Sequence, residues 1–190
     1  MYQNLLADSS LYRFLVKLDA DLAAQCRERG CSCGGKLHSA KYPRKPRGLP
    51  PGLDEEYAWR YSFCCAREGC RSRSTPVSFR FLGRKVFVAA VVVLVSTLRH
   101  GSTPLRITQL HQLVGVSRRT VQRWVKWWRQ DFTRSAFWKG ARGRLPKPVD
   151  AQTLPLSLLN VFCSTHPKTR LVDLLRWLLP LSAPRPGRAF

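Results

Sequence analysis

Six of the seven cysteines crowd into one stretch: Cys26, Cys31, Cys33, Cys64, Cys65 and Cys70, with Cys163 far downstream. No other feature restricts the fold as much, because thiols this close together must be bridged, buried or bound to metal. The opening residues, MYQNLLADSS, carry no basic region followed by an apolar stretch, so no secretory leader is expected. In a reducing compartment disulfides do not persist, and clustered cysteines hold metal instead.

The cysteines form two half-sites. The first is Cys31-Ser-Cys33-Gly34-Gly35 and the second is Cys64-Cys65-Ala-Arg-Glu-Gly69-Cys70, about 30 residues apart. Glycine beside each pair permits the tight turns in which backbone amides point at thiolate sulfur. The expected module is a zinc ribbon with Cys31, Cys33, Cys65 and Cys70 closing a tetrahedral structural Zn2+ site. Metal binding then supplies folding energy that so short a module cannot draw from a core. Cys64 and Cys65 are adjacent, so on a strand they face opposite ways and only one reaches the metal easily. Cys64 remains an alternative ligand, as do Cys26 or His38 at the other end. Free buried thiols are the competing reading, but isolated core cysteines do not cluster in polar, glycine-rich turns. A catalytic zinc would need an open position and a nearby general base, and neither is indicated.

Charge restricts the partners. Lys and Arg number 33 against 11 Asp and Glu, a formal net charge of +22. Such a field concentrates polyanions, of which nucleic acid is the commonest. A membrane is not the expected partner: the apolar run from Val86 to Leu98 spans about 20 Å as a helix, short of a bilayer core of about 30 Å. No small-molecule substrate is indicated, and a cytoplasmic, nucleoid-associated location is expected.

The expected fold class is α+β, mainly α: an N-terminal helix, a small β zinc ribbon, a helical helix-turn-helix domain and short C-terminal helices. Residues 1–30 hold an amphipathic helix over 9–29, capped by Ser9 or Ser10, with Leu11, Phe14, Leu15, Leu18 and Leu22 at helical spacing. Residues 31–82 form the ribbon, with strand-like runs such as Ala58-Trp-Arg-Tyr-Ser-Phe63. Residues 83–139 carry three helices, the first from Arg84 to His100 and the second opening at Thr103-Pro104. A Gly/Pro/Arg-rich linker follows at 140–153, then short apolar helices within 154–182 and a disordered tail at 183–190.

Within the third zone, residues 105–132 read LRITQLHQLVGVSRRTVQRWVKWWRQDF. Ile107, Leu110 and Val114 line one face of a short helix. Gly115 supplies the turn, Val116 an apolar plug and Ser117 the next cap. Val121, Trp124, Val125, Trp128 and Phe132 then recur at spacings of three and four. That is a helix-turn-helix. The opposite face carries Arg118, Arg119, Gln122, Arg123, Lys126 and Arg129. Recognition helices place N-terminal residues against base edges, so Arg118, Arg119, Gln122 and Arg123 are the expected base readers. Thr120 and Lys126 are the expected phosphate contacts. A merely solvated basic face is the competing reading. The loop Lys41-Tyr-Pro-Arg-Lys-Pro-Arg-Gly48 offers Arg44, Lys45 and Arg47 as an arm along the phosphates or into a minor groove, with a solvated loop equally consistent. Arg71, Arg73, Arg80, Arg84 and Lys85 extend the charge past the ribbon. Trp127 and Trp138 fall off the main apolar stripe and fit core or subunit contact better than stacking.

CSCGGKLHSAKYPRKPRG, then FCCAREGCRSRSTPVSFRFLGRKV and GVSRRTVQRW, together resemble the small zinc-ribbon and helix-turn-helix proteins associated with bacterial transposable elements, many of them transposase-related domains of unknown function. The resemblance spans roughly residues 26–138 and implies binding to double-stranded mobile-element DNA, with no reaction. An acidic-triad transposase needs a ribonuclease-H-like domain that converges three carboxylates on divalent metal. After the helix-turn-helix only Asp131, Asp150 and Asp173 remain. A non-enzymatic DNA-binding factor is therefore expected, with a transcription regulator and a minimal transposase or nuclease as alternatives. The run Leu171–Leu179 has the form to dock a transposase or a second copy of the chain, or to close the core.

Overall fold

The structure, a computed structural model, describes residues 2–46, 48–49, 52–53, 55–82, 88–98 and 104–183. Helix α1 (Tyr2–Leu6) leads into the long α2 (Ser9–Arg29). The cap is Asp8 rather than Ser9 or Ser10, because its carboxylate accepts from both Ser10 N (2.9 Å) and Leu11 N (3.2 Å). The buried stripe of α2 is Leu11, Tyr12, Leu15, Asp19 and Ala23. It is rotated from the expected one: Phe14 faces solvent, and Leu18 and Leu22 only flank the core.

Two small antiparallel sheets follow. One has the order β1 (Leu37–Ser39), β4 (Phe63–Cys65), β5 (Arg73–Ser74), in a register that sets Leu37 opposite Cys65 and His38 opposite Cys64. The other pairs β2 (Tyr42–Pro43) with β3 (Trp59–Arg60). The valine run becomes helix α3 (Ala89–Leu98), in which every residue from Ala89 to Thr97 is buried. β-branched residues favour strands. Here helical neighbours on several sides, α1, α5 and α8, decide the outcome. The expected flanks of this helix, residues 84–87 and 99–101, lie outside the described residues, as do Thr103 and the tail from 184 onward.

Helices α4 (Pro104–Val114) and α5 (Arg118–Lys126) form the helix-turn-helix, and α5 runs on into a π-helical turn, Trp127–Phe132. Three further α-helices follow: α6 (Ala136–Ala141), α7 (Leu156–Leu159) and α8 (Pro167–Leu178). The mainly helical α+β class expected from the sequence is the one observed. No helix among the described residues is long and apolar enough to cross a membrane.

One apolar cluster runs from Leu5 to Leu178 and joins α1, α2, α3, α5 and α8. Leu171, Leu174, Leu175 and Leu178 of α8 are all buried in it, so this face closes the core and is not free for a partner. Leu145, Val149 and Ala151, within the expected linker, pack against the same core. Trp127, Trp128, Phe132, Phe137 and Trp138 form an aromatic cluster that Trp177 of α8 joins through Phe132, Phe137 and Trp138. Trp138 is buried although it falls off the main stripe, and Trp127 packs half-buried against the same core, so both make the core contact favoured over stacking.

A buried ion pair ties the ribbon to the helices. Asp19 is 2% exposed and Arg80 1%. The Asp19 carboxylate accepts from the Ser78 hydroxyl, the Phe79 amide (2.6 Å) and Arg80 Nε (2.8 Å). The remaining guanidinium donors reach the carbonyls of Glu56 (3.2 Å), Tyr57 (2.9 Å) and Trp59 (2.8 Å). Arg80, expected to extend the surface charge, is instead an internal strut. Nearby, Arg60 donates to the carbonyls of Pro76 and Ser182, and Ser78 N donates to Ser182 Oγ (2.7 Å), pinning the end of the described chain on the ribbon.

Removing one member of this pair leaves the other charged and unpaired. Asp19→Ala is expected to cost about 3–5 kcal/mol, read as a lowered midpoint in urea unfolding. Substituting an exposed acid such as Glu28 should leave the midpoint nearly unchanged.

Candidate metal centre and nucleic-acid interface

α2 ends at Gly30, and the chain turns at once into the first pair of thiols, closed by Gly34 N to Cys31 O (2.8 Å) and Cys31 N to Gly35 O (3.0 Å). The second pair sits where β4 leaves the sheet, with Cys65 N bonded to Ser72 O and Cys70 N to Arg67 O. The Sγ atoms of Cys31, Cys33, Cys65 and Cys70 all lie within 4.8 Å of one another, and this is the one group of three or more His, Cys, Asp or Glu so placed among the described residues. Cys31 and Cys70 are 3.7 Å apart, Cys33 and Cys65 3.5 Å. A tetrahedron with metal–sulfur bonds of about 2.3 Å has edges of about 3.8 Å, whereas a disulfide needs about 2.05 Å. The spacing fits a tetrathiolate metal site.

The surroundings fit as well. A Cβ at Gly35 would lie 2.6 Å from Cys65 Sγ and 3.3 Å from Cys33 Sγ, so only glycine lets the thiols close here. The Arg67 amide donates to Cys65 Sγ (3.4 Å), and its guanidinium spans to the Cys33 carbonyl (2.8 Å), linking the two half-sites. The side chain and amide of Ser72 hydrogen-bond to Cys70 and hold its thiol down at about 6. The Arg67 amide acts in the same sense on Cys65, but desolvation and the neighbouring thiols Cys33, Cys31 and Cys70 outweigh it and push that group up to about 12. Thiols this close resist collective deprotonation until a cation offsets their charge. The alternative ligands stand apart. Cys64 turns toward the Arg71 carbonyl (3.5 Å), His38 is exposed opposite it on β1, and Cys26 only packs beside the cluster.

The second site is the outer face of α5. Ser117 caps it, accepting from Thr120 N (3.3 Å), and Gly115 takes φ +60° at the turn. Val116, Val121, Trp124 and Trp128 face the core; Arg118, Arg119, Gln122, Arg123, Lys126 and Arg129 are exposed. The side chains of Ile107 and Leu110, expected to line α4, lie outside the described ones, while Val114 is buried as expected. Thr120 departs from expectation. It is 3% exposed, its hydroxyl bonds to Ser117 Oγ (3.1 Å) and accepts from Arg123 Nη2 (3.3 Å). It is too deep to hold a phosphate and positions Arg123 instead.

The basic loop is not a free arm. Gly48 is buried at φ +80°, and a Cβ there would meet Val91, Val116 and Trp124 at 3.1–3.4 Å. Arg44 and Lys45 are thus tethered beside the helix-turn-helix, with Arg44 5.1 Å from the Tyr42 ring centroid; Arg47 lies outside the described residues. This docking is not legible in the sequence, since Gly48 reads equally well as a simple turn glycine.

Residues 105–133 match the family model of a homeodomain-like domain, which fits a helix-turn-helix DNA-binding protein. No curated protein and no solved structure matches the chain.

Cys33→Ser or Cys65→Ser is expected to abolish binding of a single zinc ion, measured by native mass spectrometry. Cys64→Ser and Cys26→Ser should leave the stoichiometry intact.

Proposed function

We propose that the chain is a non-catalytic, double-stranded DNA-binding factor of a bacterial mobile element, reading sequence through α5 and held in shape by a structural zinc ribbon. The observation that carries this reading is the exposed face of α5. Arg118, Arg119, Gln122 and Arg123 crowd its N-terminal turns, opposite a buried face of Val121, Trp124 and Trp128 and inside the homeodomain-like match. In the major groove an arginine pairs bidentately with guanine and a glutamine with adenine, each good pair giving about 1–3 kcal/mol of discrimination. Lys126 lies further along the same face and suits a phosphate. Arg44 and Lys45, tethered beside the turn by Gly48, add phosphate or minor-groove contacts.

Cys31, Cys33, Cys65 and Cys70 would hold the zinc, whose role is to close the ribbon rather than to activate water. The acids support the non-catalytic part of the reading. Asp19 is consumed by Arg80, Asp150 caps a turn through Gln152 N and Thr153 Oγ1, and Asp173 pairs with Arg176. The mobile-element role rests on the resemblance of the ribbon and helix-turn-helix motifs.

Selection of bound duplexes from a random-sequence DNA pool at about 0.15 M salt, where purely electrostatic binding is suppressed, tests the reading. An enriched motif is expected, and Arg119→Ala or Arg123→Ala should weaken binding to it by roughly 5- to 150-fold. Its position in the source genome, at element ends or at promoters, separates a mobile-element factor from a transcription regulator. Salt-sensitive binding without enrichment would overturn sequence readout by α5.

A further inference from the structure

The β2–β3 hairpin carries an unexplained aromatic. Along β2 and the residues flanking it exposure alternates: Lys41, Pro43 and Lys45 are exposed, while Tyr42, Arg44 and Pro46 are half-buried. On the other strand Trp59 is exposed, Arg60 buried and Tyr61 half-buried. Strand side chains alternate between faces, and Pro43 lies directly opposite Trp59. The outer face is therefore a ribbon of lysines, a proline and two aromatics. Tyr61 is already engaged, with Lys41 Nζ 4.8 Å and the Arg80 guanidinium 5.5 Å from its ring centroid. Trp59 makes no ring or cation contact among the described residues, and it is 40% exposed. Its backbone is nonetheless anchored, paired with Pro43 and with its carbonyl accepting from buried Arg80 (2.8 Å).

Single exposed apolar residues are common, and Phe14 and Leu105 are others here. Trp59 differs in its setting: an exposed indole on a strand pair flanked by exposed Lys41 and Lys45. It is also linked to the helix-turn-helix by a short stretch of chain. Pro43 is five positions before Gly48, which docks against Val91, Val116 and Trp124. Extended chain covers at most about 18 Å in that span.

We propose that Trp59 is a stacking platform for an unpaired base in a single strand adjoining the duplex held by α5. Aromatic side chains flanked by cations bind single strands in this way, with bases stacked on the ring and lysines on the backbone. A wedge into an intact minor groove is less suited to this ring, since such wedges are the slimmer Phe, Leu, Ile, Met or Pro. The inference rests on the duplex-binding reading above and extends it to the strand beyond the duplex.

The test compares a blunt duplex bearing the selected motif with the same duplex carrying an oligothymidylate tail, by fluorescence anisotropy on the zinc-loaded full chain. The intact protein is expected to bind the tailed duplex roughly tenfold tighter. Trp59→Ala should erase that preference while leaving blunt-duplex affinity unchanged, and Trp59→Phe should keep most of it. Equal binding of tailed and blunt duplexes by the intact protein, or a tail preference that survives Trp59→Ala, would overturn the platform and leave the reading of α5 standing. Loss of blunt-duplex binding on Arg119→Ala with the tail increment kept would support two separate contacts. Failure of the intact protein to bind any duplex would count against α5, and oligothymidylate binding alone, lost on Trp59→Ala, would still support the platform.

Discussion

Burying a guanidinium costs several kcal/mol of lost hydration unless its donors find partners in the protein. Around Arg80 the chain supplies them from three places: the Asp19 carboxylate on α2, and carbonyls at Glu56, Tyr57 and Trp59 before and within β3. The same carboxylate orders the turn at Ser78 and Phe79. None of these segments could shift without stranding a charge. Because α2 runs directly into Cys31, the pair also sets the direction from which the first thiols approach the second.

The ribbon and the helix-turn-helix are joined through this arrangement. Past Arg80, the Ala89 amide bonds back to the Arg80 carbonyl, and α3 begins there. α3 then packs against α5 and fixes which face of it looks outward. On the other side, Gly48 brings the basic loop onto the turn at Val116. The tetrathiolate site, the buried ion pair and the core under α5 are thus successive supports for one exposed basic surface. A metal held by the four thiols would contribute to the presentation of α5 without touching it.

Much of this is legible in the sequence. The four thiols, the cap at Ser117, the glycine at the turn and the alternation of arginines with tryptophans on α5 follow from local rules of spacing, and local rules act within a few residues. What is not legible depends on distant segments. Asp19 sits four residues after Leu15 and four before Ala23, in the middle of an apolar stripe. An acid at such a position signals a buried partner, but nothing local identifies Arg80 as that partner. For the same reason Arg80 reads as surface charge. Thr120 reads as a phosphate contact because it lies between arginines in sequence, although one step around a helix turns it inward. The valine run of α3 is ambiguous between strand and helix by propensity, and only its helical neighbours resolve it. Gly48 and Trp59 read as ordinary loop and strand residues because docking and exposure are properties of the assembled chain.

The central claim is that DNA lies on the outer face of α5. Amide hydrogen exchange of the zinc-loaded protein, with and without its selected duplex, tests it most directly. Slower exchange is expected over residues 115–126, with lesser protection in the basic loop around Arg44 and Lys45, while α8 and the buried α3 remain unchanged. Protection confined to the ribbon or to the C-terminal helices, with 115–126 unaffected, would contradict the account.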